Sequence, residues 1–168
     1  MLWFSEIAAL IDTGKPHVIK DSKTPSGRVH VGSLRGVIMH DAMFRVLKAR
    51  GAQVRYCFGV DDYDPVDEIP AGQGEHFEKY RGAPLCNVPA PAGSSAPDMA
   101  EHFISELFDV FGELGVEAER YRMRDFYRSG SMNESIDKIL ANAPTVRRIY
   151  KEVSNSTRSE HWHPFQVR

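Results

Sequence analysis

Apolar residues at Trp3, Phe4, Ile7, Ala8 and Ile11 recur at helical spacing and stop before Gly14 and Pro16, which predicts a leading helix. The run His17-Val18-Ile19-Lys20 then reads as a short strand. A loop of small residues and proline carries it into a second helical pattern, from about Gly32 to Arg50. In that helix Leu34, Val37, Ile38, Ala42 and Val46 form the apolar stripe, and Gly51 is the stop signal. Val54 to Val60 has the near-continuous apolar character of a buried strand. Strand, helix and strand make a βαβ unit, whose crossover is right-handed in nearly all proteins, so the two strands run parallel.

From Gly82 to Pro97 the periodicity lapses, with Pro84, Pro89, Pro91 and Pro97, and the segment reads as an ordered surface excursion, functional or a plain connector. Asp98 followed by Glu101 is a variant capping box, and Phe103, Ile104, Leu107, Phe108, Phe111 and Leu114 form the apolar face of a helix that stops near Gly115. Val116 to Met123 is a candidate third strand. A second capping box, Ser131-Met132-Asn133-Glu134, leads a helix through Ile136, Ile139 and Leu140 that Pro144 interrupts, and Val146 to Val153 reads as a further short helix. The aromatic run from Glu160 to Arg168 has no stop signal, which reads as an interrupted domain.

At 168 residues, with 42% hydrophobic and 26% charged residues, the chain has the composition of one soluble globular domain. A net charge of −2 offers no broad basic surface for nucleic acid, so the grip on any RNA partner lies elsewhere. Cys57 and Cys86 make neither a disulfide framework nor a zinc site, and His161 and His163 lack further ligands, so no metal site is expected. No basic-then-apolar leader and no membrane-length apolar run occurs, and the compartment expected is the cytoplasm, away from membranes.

The chemistry concentrates where the first strand feeds the second helix, in Lys23-Thr24-Pro25-Ser26-Gly27-Arg28-Val29-His30-Val31-Gly32-Ser33. A helix N-terminus presents backbone N–H groups and a positive dipole end to an anion, and His30 adds a side-chain donor there. Gly27 and Gly32 have the spacing of a Walker loop, but Ser33 and Leu34 stand where that motif needs Lys and Ser or Thr. The paired glycines of a dinucleotide fingerprint are missing too. At the end of the second strand, Asp61-Asp62-Tyr63-Asp64-Pro65 puts carboxylates and a phenol at the sheet edge where open α/β folds bind ligands. Singly, each aspartate reads equally well as a solvated turn; together, beside the loop, they read as a site.

The string P-S-G-x-x-H-x-G-S resembles the HIGH signature of class I aminoacyl-tRNA synthetases and related nucleotidylyl transferases. With Asp61-Asp62-Tyr63-Asp64, Tyr80-Arg81-Gly82-Ala83-Pro84-Leu85, Val88-Pro89-Ala90-Pro91, Ala100-Glu101-His102-Phe103 and Trp162-His163-Pro164-Phe165, the chain resembles the class I, archaeal-type lysyl-tRNA synthetases. The resemblance implies an α/β fold: a Rossmann-like (HUP-type) parallel sheet with flanking helices, residues 1–168 being the nucleotide-binding first half of a class I synthetase catalytic domain. No K-M-S-K-S string and no helical anticodon-binding region is present, so the segment looks like the N-terminal piece of such an enzyme, inactive alone.

By the same resemblance, the complete enzyme activates lysine with ATP, accompanied by Mg2+, and transfers it to tRNA(Lys) through parts mostly outside this segment. Pro25, Ser26, Gly27, His30, Gly32 and Ser33 would hold ATP, with His30 and Ser33 as the catalytic pair. Ser22, Thr24, Asp61, Asp62 and Tyr63 would hold lysine. Ser33 replaces the second histidine of the generic signature, and Gly36 stands where some members carry an acidic residue. Another transferase sharing the HIGH signature, or a non-catalytic nucleotide-binding piece, stays open as an alternative.

Overall fold

The computed structural model describes residues 3–69, 72 and 74–165. Met1 and Leu2, and residues 166–168 of the aromatic run, lie outside that set. The chain forms two compact units, residues 1–124 and 125–168.

In the first unit a parallel sheet has the order β1-β2-β3, with β1 at His17–Lys23, β2 at Val54–Val60 and β3 at Glu119–Arg122. Helix α1, Trp3–Ala9, precedes the sheet, and α2, Val31–Ala49, makes the crossover between β1 and β2. The stop at Gly51 is as expected: its φ of 81° is a left-handed conformation that glycine adopts without steric cost. The buried face of α2 differs from the expected stripe, running through Val37, Asp41, Phe44 and Leu47, while Ile38 is exposed. A polar residue, Asp41, sits in that face and is paired with Arg45 at 2.6 Å, which hid the true stripe from a hydrophobicity pattern.

Short helix α3, Gly74–Phe77, follows β2 and precedes the proline-rich excursion, and α4, Met99–Leu114, returns to the sheet. Val37 and Phe44 from α2, Tyr56, Phe58 and Val60 from β2, and Ile104, Leu107 and Phe111 from α4 close one core. Each such side chain, fully buried, contributes about 1.5–3 kcal/mol. The proline-rich excursion is better built than its sequence suggests. A 3-10 turn at Leu85–Asn87 and an antiparallel bridge between Pro65 and Pro84 bring Leu85 and Val88 into a second core with Val66, Phe77, Met99, Ala100 and Phe103.

On the opposite face of the sheet Gly59 pairs with Tyr121, and a Cβ at Gly59 would come 2.7 Å from Tyr121 Oη. Gly59→Ala is therefore expected to displace that ring and lower stability by about 1–3 kcal/mol. A urea-denaturation midpoint within error of the parent would rule this out.

After β3 the chain enters α5, Met123–Arg128, a helix that was not expected from the sequence. The second unit continues with α6, Asn133–Ala141, and α7, Ala143–Ser154, which Pro144 starts afresh. Ser131 does not cap α6: the N-cap is Met132, and the Ser131 hydroxyl donates instead to Phe126 C=O at 3.0 Å. Trp162 meets Tyr150 edge-to-face at 5.5 Å, Arg158 stacks on both rings, and Arg147 donates to Trp162 C=O at 2.7 Å. Trp162 of the aromatic run is therefore docked on α7.

Candidate active site at the junction of β1, α2 and β2

His30 is the N-cap of α2, with extended backbone (φ −99°, ψ 161°). Its Nδ1 accepts from Gly32 N–H at 3.1 Å, and its C=O accepts from Ser33 N–H at 2.9 Å. A neutral ring that accepts at Nδ1 carries its proton on Nε2, so the exposed imidazole presents Nε2–H as a donor. The sequence predicts helix N–H groups that face an anion with His30 added; the Gly32 and Ser33 N–H groups are instead bonded to His30 itself. Gly32 is required for this posture, since a Cβ there would lie 2.9 Å from Nδ1 and 2.8 Å from Cε1 of the ring.

Pro25 is buried, while Ser26, Gly27 and Ser33 are half-buried and Gly32 is exposed. A Cβ at Gly27 would meet nothing within 4 Å, and Gly27 is not among the glycines of positive φ. Neither packing nor backbone demands glycine there; what its absent side chain leaves is open space over the loop. On the first turns of α2, a Cβ at Gly36 would lie 3.3 Å from Asp21 Oδ2, which is itself 3.1 Å from His40 Nδ1. An acidic side chain at position 36 would have to displace that carboxylate.

The end of β1 and the acidic turn are tied together. Asp61 N–H donates to Lys23 C=O at 3.0 Å, and Thr24 Oγ1 donates to Asp64 Oδ2 at 2.7 Å. Ser22, exposed on β1, pairs with Gly59, just before the turn. Asp61 and Tyr63 are half-buried. Desolvation by surrounding protein raises the Asp64 carboxyl above its ordinary range; Thr24 opposes the shift, and the negative charges of Asp61, Asp67 and Asp62 add to it. Such a carboxylate gains from the arrival of a cation.

Asp62 is placed differently from its neighbours. It is 0% exposed, with Oδ1 accepting from Arg124 N–H at 2.8 Å and Oδ2 from Arg124 Nε. The same guanidinium reaches Asp98, the N-cap of α4, at 2.6 Å and Glu101 at 3.4 Å, and Glu101 also holds Arg122 at 2.6 Å. Burial opposes the charge on Arg124, but its hydrogen bonds to Asp98 and Asp62 outweigh that and hold the guanidinium above its ordinary range. Both oxygens of Asp62 are thus occupied by protein, whereas Asp61, Asp64 and Thr24 stand at the loop side of the turn.

The whole chain, residues 1–168, matches the family described as tRNA synthetases class I (K). The chain belongs to that family. It is 35% identical over 170 residues to lysine–tRNA ligase 1 of Methanosarcina acetivorans, a match that covers 100% of this chain and 32% of the relative. It is 31% identical over 166 residues to lysine–tRNA ligase of Archaeoglobus fulgidus, covering 98% of this chain and 34% of the relative. With lysine–tRNA ligase of Streptomyces coelicolor the identity is 39% over 127 residues, covering 73% of this chain and 22% of the relative. The chain thus spans about a third of the length, or less, of these curated relatives.

Within this class I synthetase chain the sheet and crossover are those of a Rossmann-like α/β domain. Arg124, which organises the acidic turn, carried no signal in the sequence: it is an arginine in a mixed segment, and its partners Asp62 and Asp98 are remote along the chain. Among the described residues no group of three or more His, Cys, Asp or Glu side chains is arranged to hold a metal ion, and no helix is long and apolar enough to cross a membrane.

Proposed function

We propose that the polypeptide carrying this sequence activates lysine with ATP, forming lysyl-adenylate and pyrophosphate, and passes lysine to the 3′ end of tRNA(Lys). The observation that carries the reading is the pairing of two features at one sheet edge: an exposed helix-capping histidine whose Nδ1 is taken by Gly32 N–H, and an acidic turn hydrogen-bonded to the same loop.

The reaction is an in-line attack of a carboxylate on the α-phosphate. The attacking group is already ionised, so positioning and charge stabilisation dominate over proton transfer. His30 Nε2–H and the Ser33 hydroxyl donate to phosphate oxygens, and the space over Gly27 admits the nucleotide. Asp61, with Asp64 and Thr24 behind it and Ser22 and Tyr63 alongside, receives an ammonium group of lysine. Asp62 contributes from beneath, through its ion pair. Magnesium enters with the ATP phosphates, and tRNA is held mostly by parts outside this segment, in the cytoplasm.

Residues 1–168 alone are proposed to bind ATP without turnover, because the second phosphate-binding loop of such enzymes has no counterpart here. ATP–pyrophosphate exchange tests both statements. The longer polypeptide is expected to exchange only when lysine is present, and residues 1–168 to bind ATP without exchange. A longer polypeptide that exchanges equally with or without lysine, or with another amino acid alone, would overturn the assignment.

A further inference from the structure

We propose that Arg124 is a positioning residue for the amino-acid substrate: by clamping Asp62 to the start of α4, it fixes the conformation in which residues 61–64 meet the substrate ammonium. The inference rests on the reading of that turn given above. Asp62 lies between Asp61 and Tyr63, and its side chain is drawn fully inside while both neighbours remain half-buried at the surface.

The clamp acts on the turn from several sides. Arg124 supplies both a backbone N–H and Nε to the Asp62 carboxylate, Cys86 N–H donates to Asp62 C=O at 2.9 Å, and Leu85 N–H donates to Asp64 C=O at 2.9 Å. The Arg124 side chain also reaches another element, at Asp98 Oδ2. The planar fork of arginine makes these contacts together, which a lysine ammonium cannot reproduce. A lysine there keeps the charge but not the paired contacts to Asp62 and Asp98, so the turn is no longer fixed to α4 and Asp61 shifts with it. His30 and the loop, held by their own hydrogen bonds, stay in place.

The test is steady-state ATP–pyrophosphate exchange in the full-length polypeptide, with Arg124→Lys compared with Asp61→Asn and Asp98→Asn. Arg124→Lys is expected to raise the lysine KM about tenfold, the equivalent of roughly 1.4 kcal/mol, with the ATP KM unchanged. Asp61→Asn is expected to raise the lysine KM as well, and Asp98→Asn, which loosens the α4 end of the clamp, to raise it in the same direction. If Asp61→Asn raises the lysine KM but Arg124→Lys does not, the positioning role fails and the reading of the turn stands. If Asp61→Asn has no effect, that reading fails and the inference with it. Parallel rises in the KM of lysine and ATP would mark Arg124 as merely structural and overturn the proposal. Should Arg124→Lys not fold, Asp62→Asn carries the same test, since it removes the charge on the turn side alone.

Discussion

His30→Ala in the full-length polypeptide is expected to lower the rate of lysine activation by about 10²–10³, the cost typical of removing one preorganised donor from a developing charge. The substitution removes two things at once. Nε2–H disappears from the loop, and Nδ1 no longer caps Gly32 N–H, a loss that costs about 1 kcal/mol of helix stability. His30→Asn separates them, because its short amide oxygen restores the cap without the reach of Nε2. Asn is therefore expected to recover the denaturation midpoint of the parent but not its rate. Single-turnover measurement of pyrophosphate release reads the chemical step, and urea denaturation reads the cap. A parent-like rate in a folded Asn or Ala variant would remove His30 from the catalytic role.

Asp62→Ala is expected to lower the unfolding free energy by about 3 kcal/mol, a large part of the 5–15 kcal/mol typical of a domain. The magnitude follows from its surroundings. The carboxylate is wholly buried and accepts two hydrogen bonds from one arginine. Removing it leaves Arg124 with Asp98 and Glu101, so the guanidinium is not stranded, and the cost falls at the low end of the range for broken buried pairs. Asp62→Asn keeps an acceptor for Arg124 N–H and is expected to cost less than Ala. Urea denaturation at neutral pH measures both. A shift below about 0.5 kcal/mol, the level of an ordinary surface change, would show that the pair does not hold the turn.

Asp62 differs in the structure from neighbours that look the same along the chain. Asp61, Asp62 and Asp64 share one turn and one chemistry, and nothing local distinguishes a carboxylate left near the surface from one drawn into the interior. The distinction comes from Arg124, some sixty positions away and brought to Asp62 only when β3 pairs beside β2. The α2 stripe teaches the same lesson on a smaller scale, since Asp41 is legible as a core position only once Arg45 is seen beside it. The excursion at 82–97 lacked any period because its buried residues, Leu85 and Val88, belong to a 3-10 turn and a bridge rather than to a long element.

The sequence by itself determined the βαβ unit, the ends of β2, the stops at Gly51 and Gly115, the capping of α4 by Asp98, and the loop that carries His30. Each is a local matter of side-chain period, capping hydrogen bonds or permitted φ, and local physics is written in neighbouring residues. Only the tertiary structure decided that Thr24 holds Asp64 and that Asp62 belongs to Arg124. Both depend on which chain segments the sheet brings together. Long-range burial and pairing of charge, unlike helical or strand period, leave no mark on adjacent positions.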